Sequence, residues 1–149
     1  MPVGLFTDPQ LFQMEKYSIE KDIKVLCATA MSFPDCIQEA FDSLVNILPM
    51  IEGRNYYGLA YQGVSGKIIY KAAAEQLSDN EEKISGFESF VINKGEFLAE
   101  TVMDWRKHLN QIGPIFMKLV KDPRVDRDYP CLEWYKNDNE MMCLVRLAK

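Results

Sequence analysis

The chain has 149 residues, of which 48% are hydrophobic and 26% are charged, a composition typical of a globular domain and not of a disordered or fibrous protein. Its net charge is -5 and its lysines and arginines are scattered, so direct nucleic-acid binding is not expected. It has neither a basic leader nor a run of about 18 apolar residues, which predicts a soluble, cytoplasmic protein without membrane association.

The cysteines and the single histidine do not form a recognisable chemical site. The cysteines are far apart and include no C-x-x-C pair, whereas a zinc site needs clustered thiolates or imidazoles. They are Cys27, Cys36, Cys131 and Cys143. We therefore expect no metal and no cofactor, and we expect thiols within apolar runs to behave as small buried hydrophobes. His108 would have to serve as the base for any serine or cysteine nucleophile, but it lies in a polar stretch typical of a helix start.

The first predicted module covers residues 22–75. Residues 23–30 predict a strand, and Phe33-Pro34-Asp35 predicts a helix start because proline fits the first turn and an acid favours the helix N-terminus. One apolar stripe follows at helical spacing and ends at Pro49: Ile37, Phe41, Leu44, Val45 and Leu48. Residues 56–61 and 67–72 then predict a hairpin around residues 63–66.

The second predicted module covers residues 87–148 and follows a polar linker at 76–86. Residues 87–92 and 96–102 predict a hairpin around Asn93-Lys94-Gly95. A second helical stripe comprises Leu109, Ile112, Phe116, Leu119 and Val120, with Gly113-Pro114 inside it. Strands are predicted at 131–136 and 141–147, whereas residues 1–20 show no clear period.

The two halves repeat each other. A shift of 75 superposes the two helical stripes, and a shift of 74 carries Tyr57, Leu59 and Tyr61 onto Cys131, Glu133 and Tyr135. Each half is strand-helix-strand-strand. The sequence therefore predicts an α+β fold of two tandem modules with pseudo-twofold symmetry, antiparallel sheets and a central ligand cleft.

The strand Pro130 to Tyr135 has an unusual polar face. Its alternation places Leu132 and Trp134 on one side and Glu133 between Cys131 and Tyr135 on the other. A carboxylate among aromatic groups can bind an organic cation, because ring faces and the anion both attract positive charge. The alternative is that Glu133 points into water and the aromatic rings simply pack.

The chain resembles the GyrI-like family, the small-molecule-binding domains also found at the C-termini of AraC-type and MerR-type regulators. The resemblance rests on Phe33-Pro34 before the first helix, on Pro130-x-x-Glu133-x-Tyr135 and on the tandem architecture. It implies a ligand cleft between the modules, in which Glu133 contacts cationic, hydrophobic ligands. The residues before Ile23 are too few for a helix-turn-helix unit, so transcription regulation would require a partner protein.

Three functions follow as hypotheses. The first is capture of an amphipathic, cationic small molecule by Glu133, Tyr135, Trp105, Tyr57 and Tyr61. The second is hydrolysis of cyclopropane-bearing compounds, an activity that the resemblance implies for some stand-alone members, with Glu133 activating water. The third is a protein-interaction module similar to the gyrase-inhibitory member of the family.

Overall fold

Eight strands form one antiparallel sheet in the computed structural model, which describes residues 14–49, 51–62 and 66–149. The strands are β1 Glu15–Ile19, β2 Ile23–Thr29, β3 Tyr56–Gln62, β4 Ile68–Glu75, β5 Glu88–Ile92, β6 Gly95–Met103, β7 Cys131–Tyr135 and β8 Glu140–Arg146. The helices are α1 Ile37–Ile47, α2 Asp79–Ser85 and α3 Leu109–Leu119. None of these described helices has both the length and the apolar character needed to cross a membrane.

The sheet is curled into a half-barrel, with the strand order β1-β6-β8-β7-β3-β4-β2-β5. The order is symmetric about the junction of β7 with β3, where the two modules meet. Each edge strand comes from outside the half that it completes, since β1 pairs with β6 and β5 pairs with β2. The predicted α+β fold with tandem, pseudo-twofold modules and antiparallel pairing is thus confirmed.

The two long helices cover the same face of the sheet. Helix α1 packs on β4 and β2 through Ala40 and Leu44, and α3 packs on β8 and β6 through Ile115 and Leu119. These buried positions differ by 75, so the repeat predicted from the two apolar stripes is confirmed. The central strands β7 and β3 therefore lie beneath the seam between the helices.

The strand shift of 74 is wrong. In the sheet Gly58 pairs with Glu133 and Tyr57 pairs with Trp134, and directly paired residues share a face. Tyr57 therefore lies on the opposite face from Glu133. Because side chains alternate along a strand, the shift must be odd, and a value of 75 relates Gly58 to Glu133 itself.

The predicted hairpin of residues 87–92 with 96–102 is also wrong, although both strands exist. The turn instead separates β5 and β6, which lie near opposite ends of the strand order. Its backbone is held by side chains from elsewhere: Asn93 N–H donates to Tyr129 Oη at 3.0 Å and Lys94 N–H donates to Asp22 Oδ1 at 2.8 Å. The turn residues thus correctly predicted that the chain changes direction, but not that the two flanking strands pair with other strands.

Two further segments form elements that the sequence did not predict. The stretch 15–19, which showed no period, is the edge strand β1, while the predicted turn residues 63–65 lie outside the described residues. The polar interval 76–86 contains α2, with acids in its first turn and Gly86 in the left-handed conformation at its C-terminus. The division into modules at this interval stays a prediction.

A buried ion pair ties α2 to the sheet. Arg54 binds Glu81 through two bonds of 2.6 and 3.0 Å and donates to the backbone carbonyls of Glu75 and Pro49. The Arg54 side chain is fully buried and that of Glu81 is 11% exposed. The hydrogen bond from Arg54 lowers the pKa of Glu81 from 4.5 to about 2.

We predict that Glu81→Gln lowers the free energy of unfolding by about 3 kcal/mol at pH 7, because Arg54 stays buried without its counter-charge. The folded-state pKa lies below the unfolded value, so this stabilisation is present above pH 4.5 and is lost as pH falls towards 2. Urea unfolding at pH 7 and pH 3 measures both effects. The exposed Glu82→Gln in the same helix is the control, and an equal loss in that variant would contradict the assignment.

Candidate functional site

Glu133 is the buried acid at the centre of the molecule. It lies on the helix-covered face of β7 and is only 9% exposed. The hydroxyls of Tyr70 and Tyr135 both donate to Oε1, at 2.6 and 2.5 Å, whereas Oε2 accepts no hydrogen bond from a described residue. The interpretation in which Glu133 points into water is therefore wrong.

The electrostatics of Glu133 are dominated by burial. Burial raises its pKa above the ordinary value of 4.5, and the hydrogen bonds from Tyr135 and Tyr70, which favour the ionised form, oppose the shift. Burial also raises the pKa of both tyrosines, so their hydroxyls remain proton donors. No described residue forms an ion pair with Glu133, so none of them neutralises a negative charge on this carboxylate.

Gly58 makes this arrangement possible. Tyr70 lies on β4, and its ring reaches across β3 to Glu133 on β7. A Cβ atom at Gly58 would lie closer than 3.0 Å to both the Tyr70 hydroxyl and Glu133 Oε1. The missing side chain thus provides the passage through which the tyrosine reaches the acid.

Aromatic rings surround the acid and its two tyrosines. Phe41 of α1 contacts Tyr135 edge-on with ring centroids 5.6 Å apart, and Phe33 stacks on Tyr70 at 5.7 Å. Trp105 lies in the short 3-10 turn before α3, and its ring centroid is 4.9 Å from that of Tyr135. Phe33 is 40% exposed, so the aromatic cluster extends from Glu133 to the surface.

A second buried acid provides an internal comparison. Glu100 lies on the same face and in the same cross-strand row as Glu133, with Cys143 between them. Glu100 is 1% exposed and is paired with Lys118 at 2.6 Å. The fold therefore supplies a cation to one buried acid of the row, whereas the described partners of Glu133 are two hydroxyl groups.

The five residues predicted to bind ligand fall into two groups. Tyr135 and Trp105 cluster with Glu133, whereas Tyr57 and Tyr61 lie on the opposite face of the sheet. Contact of any of them with a ligand stays a prediction.

Sequence reasoning missed Tyr70, Phe33 and Phe41 as neighbours of Glu133. The available signal was Gly58, because a glycine inside a strand often marks a close approach of another group.

Among the described residues, neither a cysteine nor His108 donates a hydrogen bond to Glu133. All four cysteines are free, and burial raises the pKa of Cys27 to about 12, which keeps that thiol protonated. His108 Nδ1 lies 3.0 Å from the carbonyl oxygen of Asp104, at the start of α3. Among the described residues, no three histidine, cysteine, aspartate or glutamate side chains are grouped as metal ligands.

The chain is similar to known proteins in fold but not in sequence. No protein-family model matches it, and no curated protein matches it significantly. An integron cassette protein from Vibrio cholerae has a TM-score of 0.69 at 12% identity, over 91% of this chain and 95% of that chain. SAV2435 bound to tetraphenylphosphonium has a TM-score of 0.63 at 9% identity, over 90% of this chain and 93% of that chain.

A hydrolase from Listeria innocua has a TM-score of 0.57 at 12% identity, over 97% of this chain and 96% of that chain. Identities this low show that the fold is shared and nothing finer.

We predict that Gly58→Ala separates Tyr70 from Glu133 and lowers the free energy of unfolding by about 1 to 3 kcal/mol, because a buried acceptor loses a donor. Urea unfolding measures the change. The matched control is Gly113→Ala in α3, where a new Cβ meets nothing within 4 Å; better helix propensity should stabilise that variant by roughly 0.5 to 1 kcal/mol. An unchanged free energy of unfolding in Gly58→Ala would show that the space at Gly58 is not needed for the contact.

Proposed function

We propose that this protein binds an amphipathic organic cation in the seam between α1 and α3, with Glu133 as the counter-charge. The observation that carries the proposal is the buried carboxylate whose described partners are two tyrosine hydroxyls bound to one oxygen. A cation placed at Oε2 would supply the positive charge that no described residue supplies.

The surroundings of Glu133 favour a cation with an apolar, aromatic body. Burial strengthens the attraction between the carboxylate and a positive charge, because little water remains to screen it. The rings of Phe41, Tyr135 and Trp105 offer apolar surface together with negative ring faces. A small, strongly hydrated ion would gain little from those rings.

The comparisons support the proposal at the level of fold. The similar structure of SAV2435 is described as bound to tetraphenylphosphonium, a cation carrying four phenyl rings. The GyrI-like resemblance, which rests on Phe33-Pro34 and the Glu133 strand, implies the same class of ligand.

We predict that tetraphenylphosphonium binds and that Glu133→Gln weakens it at least tenfold, because the substitution keeps the shape of the side chain and removes its charge. Calorimetry measures the affinity, with tetraphenylborate as a probe of equal shape and opposite charge. Glu82→Gln on α2 controls for the change in net charge. Equal binding of both probes, or an unchanged affinity of Glu133→Gln for tetraphenylphosphonium, would contradict the proposal.

The affinity should also depend on pH. Only the ionised form of Glu133 attracts a cation, and its pKa is raised above 4.5 by burial. Affinity for tetraphenylphosphonium should therefore be full well above that raised pKa and fall as the pH drops through it, at a pH higher than for an ordinary glutamate. A series of titrations between pH 8 and pH 5 tests this, and a flat profile shared by wild type and Glu133→Gln would contradict it.

Hydrolysis is the second candidate, favoured by the raised pKa of Glu133 and by the similar fold of the Listeria innocua hydrolase. Here Glu133 would accept a proton from water as the water oxygen attacks an electrophilic carbon. The bond from that carbon to the leaving atom would break, and Glu133 would return the proton to that atom, so that one water is added in total. The ligand recovered after incubation distinguishes the two functions. An unchanged ligand supports binding alone, whereas a product with one added water that Glu133→Gln no longer forms supports hydrolysis.

A further inference from the structure

A cavity of about 330 Å³ opens on the sheet face opposite the helices. Its aromatic wall is formed by Trp134 with Tyr17 and Tyr57, whose ring centroids lie 6.2 and 6.4 Å from that of Trp134. Glu75, the last residue of β4, and Asn55 also line the cavity. These residues lie on the face opposite Glu133, so this cavity is separate from the seam between the helices.

Several polar atoms of this cavity have unused hydrogen-bonding capacity. Glu75 Oε1 accepts from the Asn55 backbone N–H at 3.3 Å and from Asn55 Nδ2 at 3.1 Å, whereas Oε2 accepts from no described residue. The hydroxyls of Tyr17 and Tyr57 likewise have no partner within the described ranges. The nearby guanidinium of Arg54 binds the carboxylate of Glu81 and not that of Glu75.

The pseudo-twofold axis shows what the equivalent place in the second module contains. Glu75 pairs with Val25 at the end of β4, and its counterpart Arg146 pairs with Phe97 at the end of β8. The Arg146 guanidinium carbon lies 4.8 Å from the ring centroid of Tyr129 and 5.4 Å from that of Phe97. One half of the fold therefore fills this place with a planar cation stacked among aromatic rings.

Backbone groups complete the binding of Arg146. Its two terminal nitrogens donate to the carbonyls of Asn93 and Lys94, both at 2.9 Å, in the turn between β5 and β6. The corresponding turn of the first module joins β1 to β2, and its residues Glu20 and Lys21 line the cavity. The first module thus keeps the turn but has Val25 in place of Phe97 and an acid in place of the arginine. The rings at this cavity, Tyr17, Tyr57 and Trp134, come from other positions.

We propose that this cavity binds a planar organic cation of the guanidinium or amidinium class. The cation stacks on Tyr17 and Trp134 and donates to Glu75 Oε2. It plays the part that the Arg146 side chain plays in the other half of the fold. Planar N–H groups match a carboxylate in a two-point geometry, and the aromatic faces attract the delocalised charge. This site is independent of ligand binding at Glu133.

The two tryptophans of the chain allow the sites to be tested separately, because Trp105 lies beside Tyr135 and Trp134 lines this cavity. In the Trp105→Phe background, Trp134 is the sole tryptophan, and its fluorescence is titrated with benzamidinium and with its neutral isostere benzamide. We expect a saturable change with benzamidinium and none with benzamide. Adding Glu75→Gln should weaken benzamidinium at least tenfold, while the amide oxygen of the substituted side chain can still accept from Asn55.

Other outcomes overturn the proposal. The proposal fails if benzamidinium gives no saturable response or if benzamide gives an equal one. It also fails if Glu75→Gln leaves the benzamidinium affinity unchanged, or if Glu133→Gln abolishes that affinity while Glu75→Gln does not. Circular dichroism checks that each variant is folded. Calorimetry on the protein with both tryptophans, comparing wild type with Glu75→Gln, gives the same answer should Trp105→Phe fail to fold.

Discussion

The pairing of Gly58 with Glu133 is the contact on which the architecture and the candidate site both depend. It lies where β3 meets β7, so it joins the two modules into one sheet. It also sets a carboxylate beside a residue with no side chain, which admits the Tyr70 ring and its hydroxyl. A larger residue at position 58 would fill this space, and Glu133 would keep Tyr135 as its remaining described donor.

The fold is symmetric, but its chemistry is not. The cross-strand row through this pair contains small residues in the first module and two acids in the second: Ala28, Ala72, Gly58, Glu133, Cys143 and Glu100. The small residues leave room above the first half of the row, where the rings of Tyr70 and Phe41 lie. At the ends of β4 and β8 the acid is in the first module instead: Glu75 lies there, and its counterpart in the second module is Arg146. A duplicated backbone thus presents different charges at equivalent places.

The sequence predicted those features that repeat along the chain. The helical stripes and the strand positions follow from periods of 3.6 and 2, and the matched stripes revealed the tandem modules. The strand pairing could not be deduced in this way, because an edge strand such as β1 is defined by the distant β6 that it pairs with. The shift of 74 shows how sensitive the site is: an error of one residue moved Tyr57 to the wrong face and concealed the approach of Tyr70.

The contrast between Glu100 and Glu133 indicates why the second acid is a functional candidate and not simply a structural one. A buried carboxylate destabilises a fold unless a cation or several hydrogen bonds compensate it, and Glu100 has Lys118. Glu133 has two donors on one oxygen and none from the described chain on the other, so its compensation is incomplete. Local conflicts of this kind concentrate at binding and catalytic sites, where a ligand supplies the missing interaction. Under the proposed function, the aromatic rings around Glu133 would favour a ligand that carries its positive charge on an apolar body.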